Sequence, residues 1–189
     1  MVSKICYNKN VRVVNTINNQ EDEALPNLVK IGYDERIVDL IYEYGSDILE
    51  SEKFQREKNY IQHGTTTTYA HSLCVAYMSV WLAVRNRHEV DMRSVVRGAL
   101  LHDYFLYDWH EKNAYHNLHG YTHAKRAMEN ARRDFNISSK ESEIIYCHMF
   151  PLNLTRVPKS REARLVCIAD KMVAGSETLL IMKYSAAMA

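Results

Sequence analysis

From residue 34 onward the apolar positions fall at helical intervals. Ile37, Leu40, Ile41, Tyr44 and Ile48 recur at three and four residues and predict an amphipathic helix running from 34 towards 60, with Gly45 as a point of kinking or breaking. The threonine run after Gly64 supplies N-cap hydroxyls for a helix over about 68–85, on which His71, Val75, Met78 and Leu82 share a face. Asp91 caps the next predicted helix. There Val95, Ala99 and His102 form one inward line, Val96, Leu100 and Asp103 a neighbouring one, and the helix ends at the His102-Asp103 doublet.

The stretch that follows is too aromatic for a solvated linker, and it leads into a helix beginning near His123. Ser138 and Glu141 have capping-box spacing ahead of Ile144, Ile145 and His148. After a break at Val157 to Ser160, a last helix over about 161–184 carries Asp170 on one face with Ala163, Val166, Val173 and Glu177. Residues 1–31 are polar and Asn-rich, with a short strand at 11–17 the one regular element they suggest. They read as an irregular extension, and 32–189 as one domain.

Composition narrows this further. At 189 residues, with 47% hydrophobic positions, 6 Gly and 3 Pro, the chain fits one all-α helical domain better than a turn-rich β fold. A net charge of +1 provides no general attraction to nucleic acid or to an anionic membrane, so neither is an expected partner. Cys6, Cys74, Cys147 and Cys167 form no C-x-x-C pair, the N-terminus lacks the apolar run of a signal peptide, and no segment reaches the ~18 apolar residues of a membrane span. A reduced, cytoplasmic setting is the expectation. Neither G-x-G-x-x-G, a P-loop nor a G-x-S-x-G elbow can be written anywhere in the chain.

Histidine is the remaining signal. His71, His102, Asp103, His123, His148 and Asp170 sit at inward positions on five predicted helices, and rigid elements that project imidazole and carboxylate inward are what a helical bundle needs to hold metal. Imidazole and carboxylate without thiolate suit Fe, Mn, Co, Ni or Zn. His119, one turn before His123, is an alternative to it as a ligand. His63, His110 and His116 are expected in loops or pocket walls and His88 in solvent. Asp108 and Glu177 are candidates for orienting ligand imidazoles or for plain ion pairs, and Arg132 and Arg133 for a solvated face.

In this order the residues resemble the HD-domain superfamily of metal-dependent phosphohydrolases. They are His71 in YAHSLCVAYMS, the doublet in GALLHDYFLYDWH and Asp170 in VCIADKM, with His123 in HGYTHAKRA and His148 in IIYCHMFP similar to the extra ligands of its binuclear branch. The resemblance covers about residues 60–180. It implies two divalent transition-metal ions, one held by His71, His102, Asp103 and Asp170, the other by His123 and His148 with Asp103 bridging. It also implies a bridging hydroxide that attacks a small phosphoester, a nucleotide or a nucleotide-derived compound. Many members follow the doublet with Gly and a phosphate-binding Lys, where this chain has Tyr104-Phe105-Leu106, and the GYP segment of the cyclic-dinucleotide phosphodiesterases is missing.

Substrate contacts are therefore expected from Lys125 and Arg126 near a helix N-terminus or from Lys171 beside Asp170, with Tyr104, Tyr107 and Tyr121 walling the pocket. His119, Lys171 or a metal-held water is expected to protonate the leaving group. The same ligand set also resembles the superfamily's di-iron oxygenases, and a non-catalytic nucleotide-sensing module is the third reading.

Overall fold

The computed structural model describes residues 34–63, 66–85, 89–109 and 119–187. The expected extension 1–31 with its strand, Cys6, His88, His110 and His116, and the side chain of His63, lie outside what it describes. Seven α-helices run through the described residues: α1 Glu35–Leu49, α2 Glu52–Gln55, α3 Thr68–Arg85, α4 Met92–Leu101, α5 His119–Asp134, α6 Ser139–Cys147 and α7 Arg161–Ala187. A 3-10 turn, Arg56–Asn59, and a two-stranded antiparallel ribbon, β1 Ile61–His63 with β2 Thr66–Thr67, join α2 to α3. The ribbon was not foreseen, because strands of three and two residues are too short to show a period.

Local signals set the helix ends. Asp34, Ser51, Asp91 and Ser138 accept backbone N–H bonds at the starts of α1, α2, α4 and α6, and the Ser138 N–H donates in return to the Glu141 carboxylate, completing the capping box. Thr67 Oγ1 accepts from the Ala70 N–H, 3.2 Å, and opens α3 as the threonine run predicts. Two expectations are corrected. The helix from 34 stops at Leu49, because the Ser51 cap starts a new short helix. The helix expected to begin near His123 begins at His119, one turn earlier.

Helix α4 is the axis of the bundle. It packs on α1, α3, α5, α6 and α7, and every residue from Ser94 to Leu101 is buried, which is why its apolar residues wrap all round it. Such a helix needs close neighbours. A Cβ on Gly98 would stand 2.6 Å from Ile144 Cγ2 of α6, and one on Gly45 would stand 2.6 Å from Leu100 Cδ1. Gly45 therefore marks a close crossing of α1 over α4, with the helix continuing through it. Arg97, buried within α4, pairs with Asp47 of α1 at 2.5 Å and with Glu141 of α6 at 3.2 Å. These contacts hold the C-terminal end of α4, and with it the doublet, at the middle of the fold.

Among the described residues no helix is long and apolar enough to cross a membrane. Among the described residues, Cys74, Cys147 and Cys167 form no disulfide with one another.

Candidate metal centre

The six side chains expected to converge do so, and all six are buried. Two trios form: His71, His102 and Asp170, and beside them Asp103, His123 and His148, each with ligand atoms within 4.8 Å of one another. His71 comes from α3, the doublet from the end of α4, His123 from α5, His148 from the end of α6 and Asp170 from α7. His123, and not His119, occupies the second trio.

Each imidazole is oriented through its other nitrogen. The Nδ1 atoms of His102 and His148 donate to carbonyls three residues back, Ala99 and Ile145, and that of His123 donates to the His119 carbonyl, all at 2.7 Å. His71 Nδ1 lies 3.0 Å from Glu177 Oε2, so Glu177 is the orienting acceptor that its shared face with Asp170 anticipates. A carbonyl or a carboxylate can only accept, so Nδ1 carries a proton and Nε2 faces the centre, where it presents a lone pair whenever the ring is neutral.

Asp103 lies between the trios. Its Oδ1 is 3.3 Å from His123 Nε2 and 3.4 Å from His148 Nε2, while Oδ2 is 3.4 Å from His102 Nε2 and 3.9 Å from His71 Nε2. Asp170 Oδ1 stands 3.2 Å from His71 Nε2 and 3.7 Å from His102 Nε2. His102 Nε2 and Asp103 Oδ1 are buried with no hydrogen-bond partner. Lone pairs turned inward and left without donors fit a cation.

The electrostatics ask for positive charge at the same place. Burial pushes the His71 and His102 imidazoles down, but carboxylates outweigh it: Asp170 and Glu177 bring His71 up to about 10, and Asp103 and Asp170 hold His102 well above its usual range. Burial would raise Asp103 and Asp170, yet the surrounding imidazoles keep both well below the carboxylate range. Burial pushes His148 down against the hydrogen bond and charge of Asp103, with lesser repulsion from His102 and His123 adding to it. Buried carboxylates facing imidazoles make the centre a place that favours positive charge.

The remaining expected site residues are placed as follows. His119 stacks on His123, centroids 4.5 Å apart, and its Nδ1 meets the Tyr107 hydroxyl at 2.8 Å, while Trp109 stacks on its other side. Arg126 lies 5.1 Å from the Tyr107 ring centroid. Lys125 is exposed, 3.7 Å from Glu129, and the earlier start of α5 puts it beyond the first helical turn. Lys171 Nζ donates to the His148 carbonyl at 2.7 Å and lies 3.8 Å from Asp170 Oδ2. Tyr121 is 48% exposed, and Arg132 and Arg133 are exposed as expected.

Tyr104 departs from its expected place at a pocket wall. Its ring is fully buried among Phe54 and Phe135, and its hydroxyl reaches Asp134 at 3.1 Å. The cause is the turn after the doublet. Leu106 takes a left-handed conformation, φ 58°, and Asn130 Nδ2 clamps the carbonyls of Tyr104 and Phe105 at 3.1 Å each, which sends Tyr104 into the core and Phe105 towards His119 and His123.

Two residues at the centre went unread in the sequence. Gln62 Nε2 donates to Asp103 Oδ2 at 2.5 Å. Glu57, in the 3-10 turn, is fully buried, and burial together with the charge of Asp103 pushes its carboxyl well above the usual range against the pull of His102, Ser72 and His71. Glu57 lies beyond Ile48, the last apolar position of the spacing that predicts the first helix, and Gln62 in a segment without hydrophobic period, so no spacing singles out either as inward.

Against known families, the model for the HD domain matches residues 68–175, more than half of the chain and spanning all six side chains. Searches of curated proteins and of solved structures returned no match.

Proposed function

The chain belongs to the HD-domain family, and from that premise we propose that it is a phosphohydrolase with a two-ion centre that cleaves a small phosphoester, a nucleotide or nucleotide-derived compound. The observation that carries this reading is Asp103 shared between two histidine-bearing trios, one carboxylate oxygen turned to each.

In this reading His71, His102 and Asp170 would hold one divalent ion and His123 and His148 the other, with Asp103 a ligand available to each. Such ions supply Lewis acidity that acidifies a water nucleophile and offsets charge on phosphoryl oxygens. The chain's own residues do the rest. Carbonyls and Glu177 keep the four rings in the tautomer that turns Nε2 inward. His119, stacked on His123 and hydrogen-bonded to Tyr107, is the proton donor to the leaving group that we favour, because Lys171 spends its ammonium on the His148 and Cys167 carbonyls. Arg126 is the favoured phosphate contact, since its partner Tyr107 joins it to His119, whereas Lys125 points to Glu129.

Elemental analysis of untreated protein, followed by a panel of nucleotides and simple phosphate mono- and diesters with Mn²⁺ or Co²⁺, tests the proposal. Phosphate release that Asp103→Ala abolishes is the expected result. Oxygen uptake confined to the iron form with an organic substrate would replace hydrolysis by oxygenation. Tight nucleotide binding without turnover over several metals would make the protein a sensor.

A further inference from the structure

Asp103 can serve both trios only if its carboxylate plane is held with one oxygen facing each. Nothing in an aspartate does this by itself, because rotation about the bond to the carboxyl group is broad and soft. The four neighbouring rings cannot do it once they serve as ligands: a neutral imidazole with its proton on Nδ1 offers a lone pair at Nε2 and has no proton left to give Asp103. Among the described residues, the side-chain donor that then faces Asp103 is the Gln62 amide, at 2.5 Å from Oδ2.

Gln62 belongs to β1, which precedes the span matched by the family model. The strand lies against α3 and α7, and Gln62 is 7% exposed, so its amide has little freedom to leave. Its orientation is chemically determined. An ionised carboxylate only accepts, so nitrogen must face Asp103, and the amide keeps that orientation although its Oε1 is left buried without a partner. A carboxylate oxygen has room for one such bond and one further ligand.

We propose that Gln62 is a positioning residue for the shared carboxylate: its bond to Oδ2 sets the rotation of Asp103 and thereby enables the His123–His148 side to take up an ion alongside the first. This rests on the two-ion reading above, and its test is chosen to fail separately from it.

The test is Mn²⁺ titration of the full chain, followed by calorimetry and by electron paramagnetic resonance, on wild type, Gln62→Met and Gln62→Glu. Met keeps the length and removes the donor. Glu keeps the shape and puts an acceptor against Asp103. Wild type is expected to bind two ions with the resonance signature of a coupled pair. Both variants are expected to retain one ion, weaken the second by ~10- to 100-fold and lose the coupled signal at ion concentrations that saturate wild type. Melting of the metal-free proteins identifies a variant that fails to fold, and the other variant then decides. Undiminished pairing in the folded variants overturns the role of Gln62 alone. A wild type that never binds a pair overturns the two-ion reading and this proposal with it.

Discussion

His123 and His148 meet Nε2 to Nε2 at 2.9 Å, each with its Nδ1 proton committed to a backbone carbonyl. Two lone pairs at that separation repel unless a cation or a shared proton lies against them. With Asp103 Oδ1 at 3.3 and 3.4 Å from the same two atoms, three donors face one point.

The first prediction concerns stoichiometry. Asp103→Ala removes a donor from both sides and should lose both ions, whereas His148→Ala should keep the ion of His71, His102 and Asp170. Metal analysis after gel filtration in trace Mn²⁺ reads the difference. Two ions retained by Asp103→Ala would refute the shared-carboxylate arrangement.

Metal removal and pH act together. In metal-free protein the His71 imidazolium contributes stability that is fully present below about pH 6.5 and is lost as pH rises towards about 10. Asp103 and Asp170 act oppositely: their contribution is present above about pH 4 and is lost on acidification. Metal must displace imidazole protons, so its affinity should rise with pH, and calorimetry in buffers of different ionisation enthalpy should show release of about one proton or more per chain near pH 7. At 100-fold excess over Kd each ion should add ~2.7 kcal/mol, or ~5–10 °C in Tm, and a chelator should reverse it. A Tm indifferent to both would count against a metal centre.

Glu57 provides a test in the other direction. Its carboxyl is raised in the fold, so the stability of the metal-free protein should fall as pH climbs above about 4.3, where the unfolded chain ionises freely. Glu57→Gln removes that dependence, and the metal-free variant should melt ~2 °C or more higher at pH 7–8. A lower Tm would show that the carboxylate is compensated in the folded protein.

The crossing of α4 and α6 is tested by size. Gly98→Ala drives a methyl into Ile144 Cγ2, Cδ1 and Cβ at 2.6, 2.8 and 2.9 Å and should cost ~1–3 kcal/mol. Gly175→Ala in α7, with nothing within 4 Å, should be neutral or stabilise by up to ~1 kcal/mol. Urea denaturation of the pair measures both. Equal effects would mean that the close approach does not limit packing.

Much of the site was legible before the fold. Helical spacing turned His71, the doublet, His148 and Asp170 inward, and the caps at Asp91 and Ser138 set two of the helices that carry them. Both features are local: side-chain direction follows from a 3.6-residue period, and a cap follows from one hydroxyl or carboxylate beside free N–H groups. The choice between His119 and His123 was not local. They stand one turn apart on the same helix, and only packing against α6 puts His123 beside His148 while His119 supplies its carbonyl from the turn before.

What the sequence determined by itself is therefore the helical class, the starts of most helices and the inward residues that could serve a metal, because each depends on neighbours within a turn or two. What the tertiary structure alone decided is the distances at which the six side chains gather around Asp103, the retreat of Tyr104 into the core, and the arrival of Gln62 and Glu57 beside Asp103. Those depend on how α4 is pinned between its neighbours and on a ribbon with no period of its own, and contacts across 41 residues, as between Gln62 and Asp103, leave no mark in local spacing.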